Sequence, residues 1–293
     1  MIKTVEIINN RNEHTKMVLS DPRPTGLFIT NIEGLDAPQG TINMTESAQL
    51  NGRKKNGVKV NGRNIVLYLR YFESNLNRDS IEAIRHQVYR MCPIGEDVEI
   101  IVTTDMRKVY FYGTVENNEV NIFDQYEGSQ ISILCEKPYG VGQYDFNDAF
   151  AGIRGGLEFP FEFNDTIEFG EVYVVTSKMI DYEGEARTGF TLTVNFKESV
   201  NGLTVSNMTT GQTMKISGIF ANGDVLKVCT IQKQKKATLN GSNVLADFFT
   251  NSTNDWVELL SGDNYITIRD GSGTDALVDS IATIESPLLY MGV

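Results

Sequence analysis

The sequence predicts a mainly β protein of two domains, an N-terminal β-rich domain with one helix and a C-terminal β-sandwich. Three observations predict it. Short segments rich in Val, Ile, Thr, Tyr and Phe recur along the chain, separated by turn signals such as NGD, NGS and SGDN. Only one stretch, near residues 80–92, carries a convincing helical stripe. The 293 residues, 41% hydrophobic and 22% charged, give room and apolar mass for about two folded cores.

In the first half, Asn64–Glu73 (NIVLYLRYFE) reads as a strand, preceded by the turn-rich loop 50–63 that holds Arg53-Lys54-Lys55. Further strands are expected at 26–32, 97–102, 108–115, 119–124 and 129–135. In the last of these, Ile131, Ile133 and Cys135 alternate with Ser132 and Leu134. The helix at 80–92 has Asp79 as its expected N-cap, with Glu82 three residues on. Ile81, Ile84, Val88 and Met91 share one face, His86 lies opposite, and Pro93 and Gly95 stop the helix.

Residues 138–160 hold Pro138, Gly140, Gly142, Gly152, Gly155, Gly156 and Pro160 and read as a linker or domain entry. The boundary is therefore set near 140, giving domains 1–140 and 141–293. The second half is almost wholly β. Phe190–Phe196 and Tyr265–Arg269 alternate with period two, and strands are expected at 203–206, 213–220, 224–231, 235–239 and 256–260.

Charge is unevenly spread. The net charge is −12; residues 1–140 carry 16 Lys and Arg against 18 Asp and Glu, and residues 141–293 carry 10 against 20. An acidic surface repels phosphate, which argues against nucleic-acid binding. The longest apolar stretch, Ile65–Phe72, is interrupted by Arg70 and is too short to span a bilayer, and MIKTVEIINN lacks the apolar core of a signal peptide. Synthesis in the cytoplasm without membrane insertion is expected. Cys92, Cys135 and Cys229 are odd in number and far apart, so they read as buried thiols.

The search for catalytic chemistry yields little. His14 and His86 are the only histidines. GVGQYD at 140 lacks the third glycine of a nucleotide-binding loop. Asp270–Asp275 imitates the start of a calcium loop, but Asp275 stands where glycine is required and Ile281 where glutamate is, so a hairpin tip is expected. The carboxylate pairs Asp181/Glu183 and Glu168/Glu171 fall in apparent turns and are what 38 acidic residues give by chance. No catalytic, cofactor or metal-binding residue is assigned, and the chain reads as a non-enzyme.

Three stretches resemble a known family. The first runs from Gly34-Leu-Asp-Ala-Pro38 through NGRKKNGVKVNGRNIVLYLRYFE to SIEAIRHQVYRMC and Pro93. The second is VYFYGTVENNEVNIFDQYEGSQISILCEKPYG, and the third is GDVLKVCTIQKQKKATLNGSNVLADFF followed by WVELLSGDNYITI. In order and spacing they resemble the distal tail (Dit) proteins of siphophages that infect Gram-positive bacteria. The resemblance implies an N-terminal ring-forming (belt) domain, a galectin-like C-terminal sandwich, and a homohexameric ring at the tail tip of the virion, assembled in the host cytoplasm. Its channel would pass DNA, and its partners would be the tail-tube protein, the tail-associated lysin or tail fibre, and receptor-binding proteins. Arg53, Lys54, Lys55, Arg85 and His86 are the candidate ring or partner contacts. A carbohydrate-binding adhesin is the alternative. Against it, no histidine follows His86, and Trp256, the one Trp, sits in NDWVELL, where a core or strand-edge place is expected.

Overall fold

The computed structural model describes residues 1–46, 51–73, 80–123, 125–155, 170–174, 176–248, 255–273 and 280–293. They form two compact units, Met1–Gln143 with Leu289–Val293, and Tyr144–Leu288. The protein is mainly β.

The first unit contains β1 (Ile2–Asn9), β2 (His14–Val18), β3 (Leu27–Glu33), β4 (Gly40–Glu46), β5 (Arg53–Val60), β6 (Arg63–Tyr71), α1 (Ile81–Met91), β7 (Asp97–Thr104), β8 (Lys108–Asn121), β9 (Gly128–Cys135) and the start of β10 (Gly140–Ala149). Seven strands pair antiparallel in the order β2-β1-β7-β8-β9-β6-β3. Strand β8 joins the two arms: Lys108–Thr114 pair with β7, Thr114–Asn121 with β9, and a bulge lies between Val115 and Asn117. Inward residues of both arms (Val5, Ile7 and Met17 from one; Leu27, Ile65 and Leu67 from the other) share one core. Alternation explains this, since period two puts every second side chain of β6 and β7 on that face.

Helix α1 closes the core with Ile84, Val88 and Met91, all buried, while Ile81 packs at the edge. Ser80 is the N-cap, its Oγ accepting from the Ala83 N–H at 3.3 Å. Asp79, expected in that place, lies outside the described residues.

One buried cation fastens this unit. Arg63 is 6% exposed and donates to the carbonyls of Pro138 (2.8 Å), Gly34 (3.1 Å) and Met291 (2.7 Å), with its guanidinium 4.8 Å from the Phe111 ring. Gly34 has φ +83, and a Cβ there would sit 1.9 Å from the Asn64 carbonyl, so only glycine fits. The final residues are held further by the Val293 N–H to the Leu35 carbonyl (3.2 Å) and by Arg107 over the Tyr290 ring.

The second unit contains β11 (Ala151–Gly155), β12 (Gly170–Val174), β13 (Ser177–Tyr182), β14 (Thr191–Asn195), β15 (Val200–Asn207), β16 (Gln212–Phe220), β17 (Val225–Cys229), β18 (Lys236–Leu239), β19 (Ser242–Asn243), the short α2 (Leu245–Phe248), β20 (Gly262–Asp270) and most of β21 (Ile281–Tyr290). One sheet is β13-β20-β15-β16, and a second ladder runs β19-β18-β17-β14-β21. Ile180, Val205, Ile216 and Ile268 of the first meet Leu192, Val194, Val228 and Ile284 of the second in one core, which makes a β-sandwich.

Three sequence expectations differ from the structure. Residues 138–160 hold β10 and β11 rather than only a linker. Gly140 is present because a Cβ would meet Val109 Cγ1 at 2.3 Å, a close approach that imitates a linker signal in sequence. Residues 256–260 are not a strand: their backbone pairing is an isolated bridge between Leu259 and Thr188, and side chains bond the flanking residues. Gln212 accepts from the Glu258 N–H (3.1 Å) and donates to the Trp256 carbonyl (3.3 Å), as a neighbouring strand's backbone would. Asn207 and Asn264, both fully buried, bind the Glu258 carbonyl and both polar groups of the Leu260 backbone. Finally, much of the loop 50–63 is strand β5.

Candidate interaction site

The described residues hold no group of three or more His, Cys, Asp or Glu that could bind a metal ion. Cys92 and Cys135 are buried free thiols, and burial pushes them up to about 12 and about 11 respectively; Cys229 is half-buried and also free. His14 pairs with Glu6 at 3.0 Å, and His86 lies 3.8 Å from Glu82 on the exposed side of α1, edge-on to Tyr89. Asp181 and Glu183 are exposed, with Asp181 paired to Asp263 across β13 and β20. Glu168 and Asp275 lie outside the described residues. Asp270 closes a tight turn, its Oδ1 accepting from the Gly273 N–H (3.0 Å) and the Ser272 hydroxyl (2.6 Å). Trp256 rests partly buried against the sandwich core, with Lys235 Nζ 4.7 Å above its ring.

Surfaces, rather than a reaction centre, stand out. The β4–β5 hairpin is exposed along almost its whole length. Its register pairs Ile42 with Val58 and, beyond a bulge at Asn43/Met44, Met44 with Lys55. One face therefore carries Ile42, Met44 and Val58, each half-exposed, with Lys55 and Arg53 toward the tip; Lys54 and Lys59 lie on the other. Arg53 Nε bonds Glu46 Oε1. Such an alternating strand was hidden in sequence by the three glycines and the lysines of NGRKKNGVKVNG, which read as turns.

The other two candidates lie elsewhere. Arg85 is part-buried and bound to Glu127 at 3.2 Å within its own unit, which leaves it less available to a partner; His86 is exposed beside it. Sequence reasoning missed a groove of about 480 Å³ on the outer face of β1, β7 and β8, lined among others by Ile8, Asp97, Glu99, Tyr112 and Glu136. Its residues come from three strands, the β1–β2 turn and the segment after β9, so only the fold brings them together.

Residues 183–279 match the family model described as siphovirus-type tail component, C-terminal domain. The SPP1 Dit (gp 19.1) protein, described as a paradigm of the hub adsorption apparatus in phages infecting Gram-positive bacteria, superposes with TM-score 0.64 at 13% identity, covering 97% of this chain and 99% of that one. The phage P2 baseplate in its activated, Ca-bound conformation aligns at TM-score 0.42 and 10% identity, over 98% of both chains. No curated protein matches. The second unit thus carries the match to a siphovirus-type tail component, C-terminal domain, and the chain shares the fold of the SPP1 Dit protein along its length.

Proposed function

We propose that this protein is a non-enzymatic hub of a phage tail tip, a homohexameric ring whose central channel passes DNA. In this reading it joins the tail-tube protein to the tail-associated lysin or tail fibre, and anchors receptor-binding proteins. The ring would belong to the virion, after assembly in the host cytoplasm. In this reading a ring-forming domain spans about 1–140 and a galectin-like sandwich about 141–293.

The observation that carries the reading is the β4–β5 hairpin. A two-stranded ribbon with Ile42, Met44 and Val58 half-exposed is marginal in water by itself. Its exposed apolar face is what an assembly element requires. Light scattering with negative-stain imaging tests the proposal. A particle of about six times 32.7 kDa with an open centre is expected; a monomer at every concentration, alone and with a tail-tube protein, would refute it.

The adhesin alternative is weaker. Lys235 above the Trp256 ring and the core against which that ring packs leave no free face for a sugar to stack on.

A further inference from the structure

We infer that the groove on the outer face of β1, β7 and β8 seats the β4–β5 hairpin of a second copy of this chain. The inference rests on the assembly reading above and names its acceptor surface.

The two surfaces are complementary in kind and in sign. Register aligns Ile8, Glu99 and Tyr112 in one row across β1, β7 and β8, and Asp97 opposite Thr114 in the row beside it. Glu136, Lys137 and the asparagines of the β1–β2 turn, Asn10 and Asn12, also line it. The groove thus offers an apolar and aromatic floor with three carboxylates against one ammonium. The hairpin offers Ile42, Met44 and Val58 beside Lys55, with Lys54 and Lys59 on its reverse. Tyr112 is 49% exposed and Val58 52%, so both apolar parts have area to lose from water. Among the described residues, Lys54, Lys55 and Lys59 form no ion pair, nor do Asp97, Glu99 and Glu136. Thr114 donates to Asp97 and Lys108 lies in the field of Glu99, yet among the described residues no salt bridge within 4.0 Å neutralises either set of charges.

The geometry of repetition follows. Hairpin and groove are different patches on one chain, so their contact is heterologous: each copy gives a hairpin to one neighbour and receives one from the other. Repeated with a fixed rotation, such a contact closes a ring, and the lysine–carboxylate part of it weakens with salt.

Charge reversal with zero-length cross-linking of the full chain tests this. Carbodiimide is expected to join Lys54, Lys55 or Lys59 to Asp97, Glu99 or Glu136 in species of dimer mass and above. Lys54→Glu with Lys55→Glu, and separately Asp97→Lys with Glu99→Lys, should each lower the assembled fraction at least ten-fold while thermal melting is unchanged. Mixing the two variants one to one should restore the native mass, because each then supplies the partner the other lacks. Native assembly with links elsewhere, or a groove variant that assembles like the native chain, overturns the groove and leaves the ring reading intact. A native chain that never assembles and gives no intermolecular link overturns both.

Discussion

Replacing Arg63 by Met keeps most of the aliphatic bulk over Phe111 and removes the guanidinium. Three carbonyl groups, of Gly34, Pro138 and Met291, lose their donor. A hydrogen bond to a charged group contributes roughly 1.5–3 kcal/mol net, so three give an upper figure of about 5–9 kcal/mol. Two effects reduce it. Burial already holds the guanidinium below its usual pKa, so deleting it recovers desolvation energy. Carbonyls near the surface regain water. A net loss of about 3 kcal/mol is expected, close to the values found when one partner of a buried charged contact is removed. Hydrogen exchange is the suitable assay, since Trp256 lies in the second unit and its emission does not report on the first. The Val293 amide should exchange on the order of 100-fold faster, because 3 kcal/mol is about two powers of ten. Arg63→Lys should recover less than half of the loss, since one ammonium cannot span three carbonyls in a fixed fork. Loss below about 1 kcal/mol in Arg63→Met, or full recovery by Lys, would refute the fastening role.

Other substitutions and probes follow from the same geometry. Ile84→Asp puts a carboxylate at a fully buried helix position and should cost about 3–5 kcal/mol, read as lost protection of α1 amides; unchanged protection would refute the placement of the helix. Gln212→Ala removes both bonds to segment 256–260, should cost about 1–2 kcal/mol and should shift Trp256 emission to the red; unchanged emission would show that the segment holds itself. Iodoacetamide at pH 8 should label Cys229 alone in the native chain and all three cysteines in urea. For Cys92 the native pKa is raised from 9.0 to about 12, so above pH 9 the unfolded state binds fewer protons. Stability should therefore fall as pH rises through that window, by Cys92 in particular, and a Cys92→Ala chain should lose less over the same range.

The helix was legible because its signals are local: a stripe at helical spacing and a Pro-Gly stop. So were β6 and β9, whose alternation is strong. What the sequence hid depends on contacts between distant residues. β1, β2 and β13 alternate too weakly against their polar neighbours to be picked out. β10 is concealed by Gly140 and Gly142, the first of which serves close packing. The expected strand 256–260 shrinks to a Leu259–Thr188 bridge because Asn207, Gln212 and Asn264 bond the residues around it with side chains, which no pattern within NDWVELL can announce. Of the candidate contacts, the basic run Arg53–Lys55 is on an exposed ribbon, whereas Arg85 is engaged with Glu127, a residue 42 positions away. The groove was invisible because Ile8, Glu99 and Tyr112 become neighbours only through strand register.

Strand β8 has a consequence for how the first unit comes apart. One continuous piece of backbone supplies hydrogen-bond partners to both arms, so the arms end in edges at β2 and β3 but have none where they meet. Opening β7 from β8 leaves the second half of the same strand anchored to β9, and strain there passes directly along the chain through the bulge at Val115/Asn117. Under load the unit would thus yield as a whole or hold as a whole, the shared strand adding to the common core that already joins the arms.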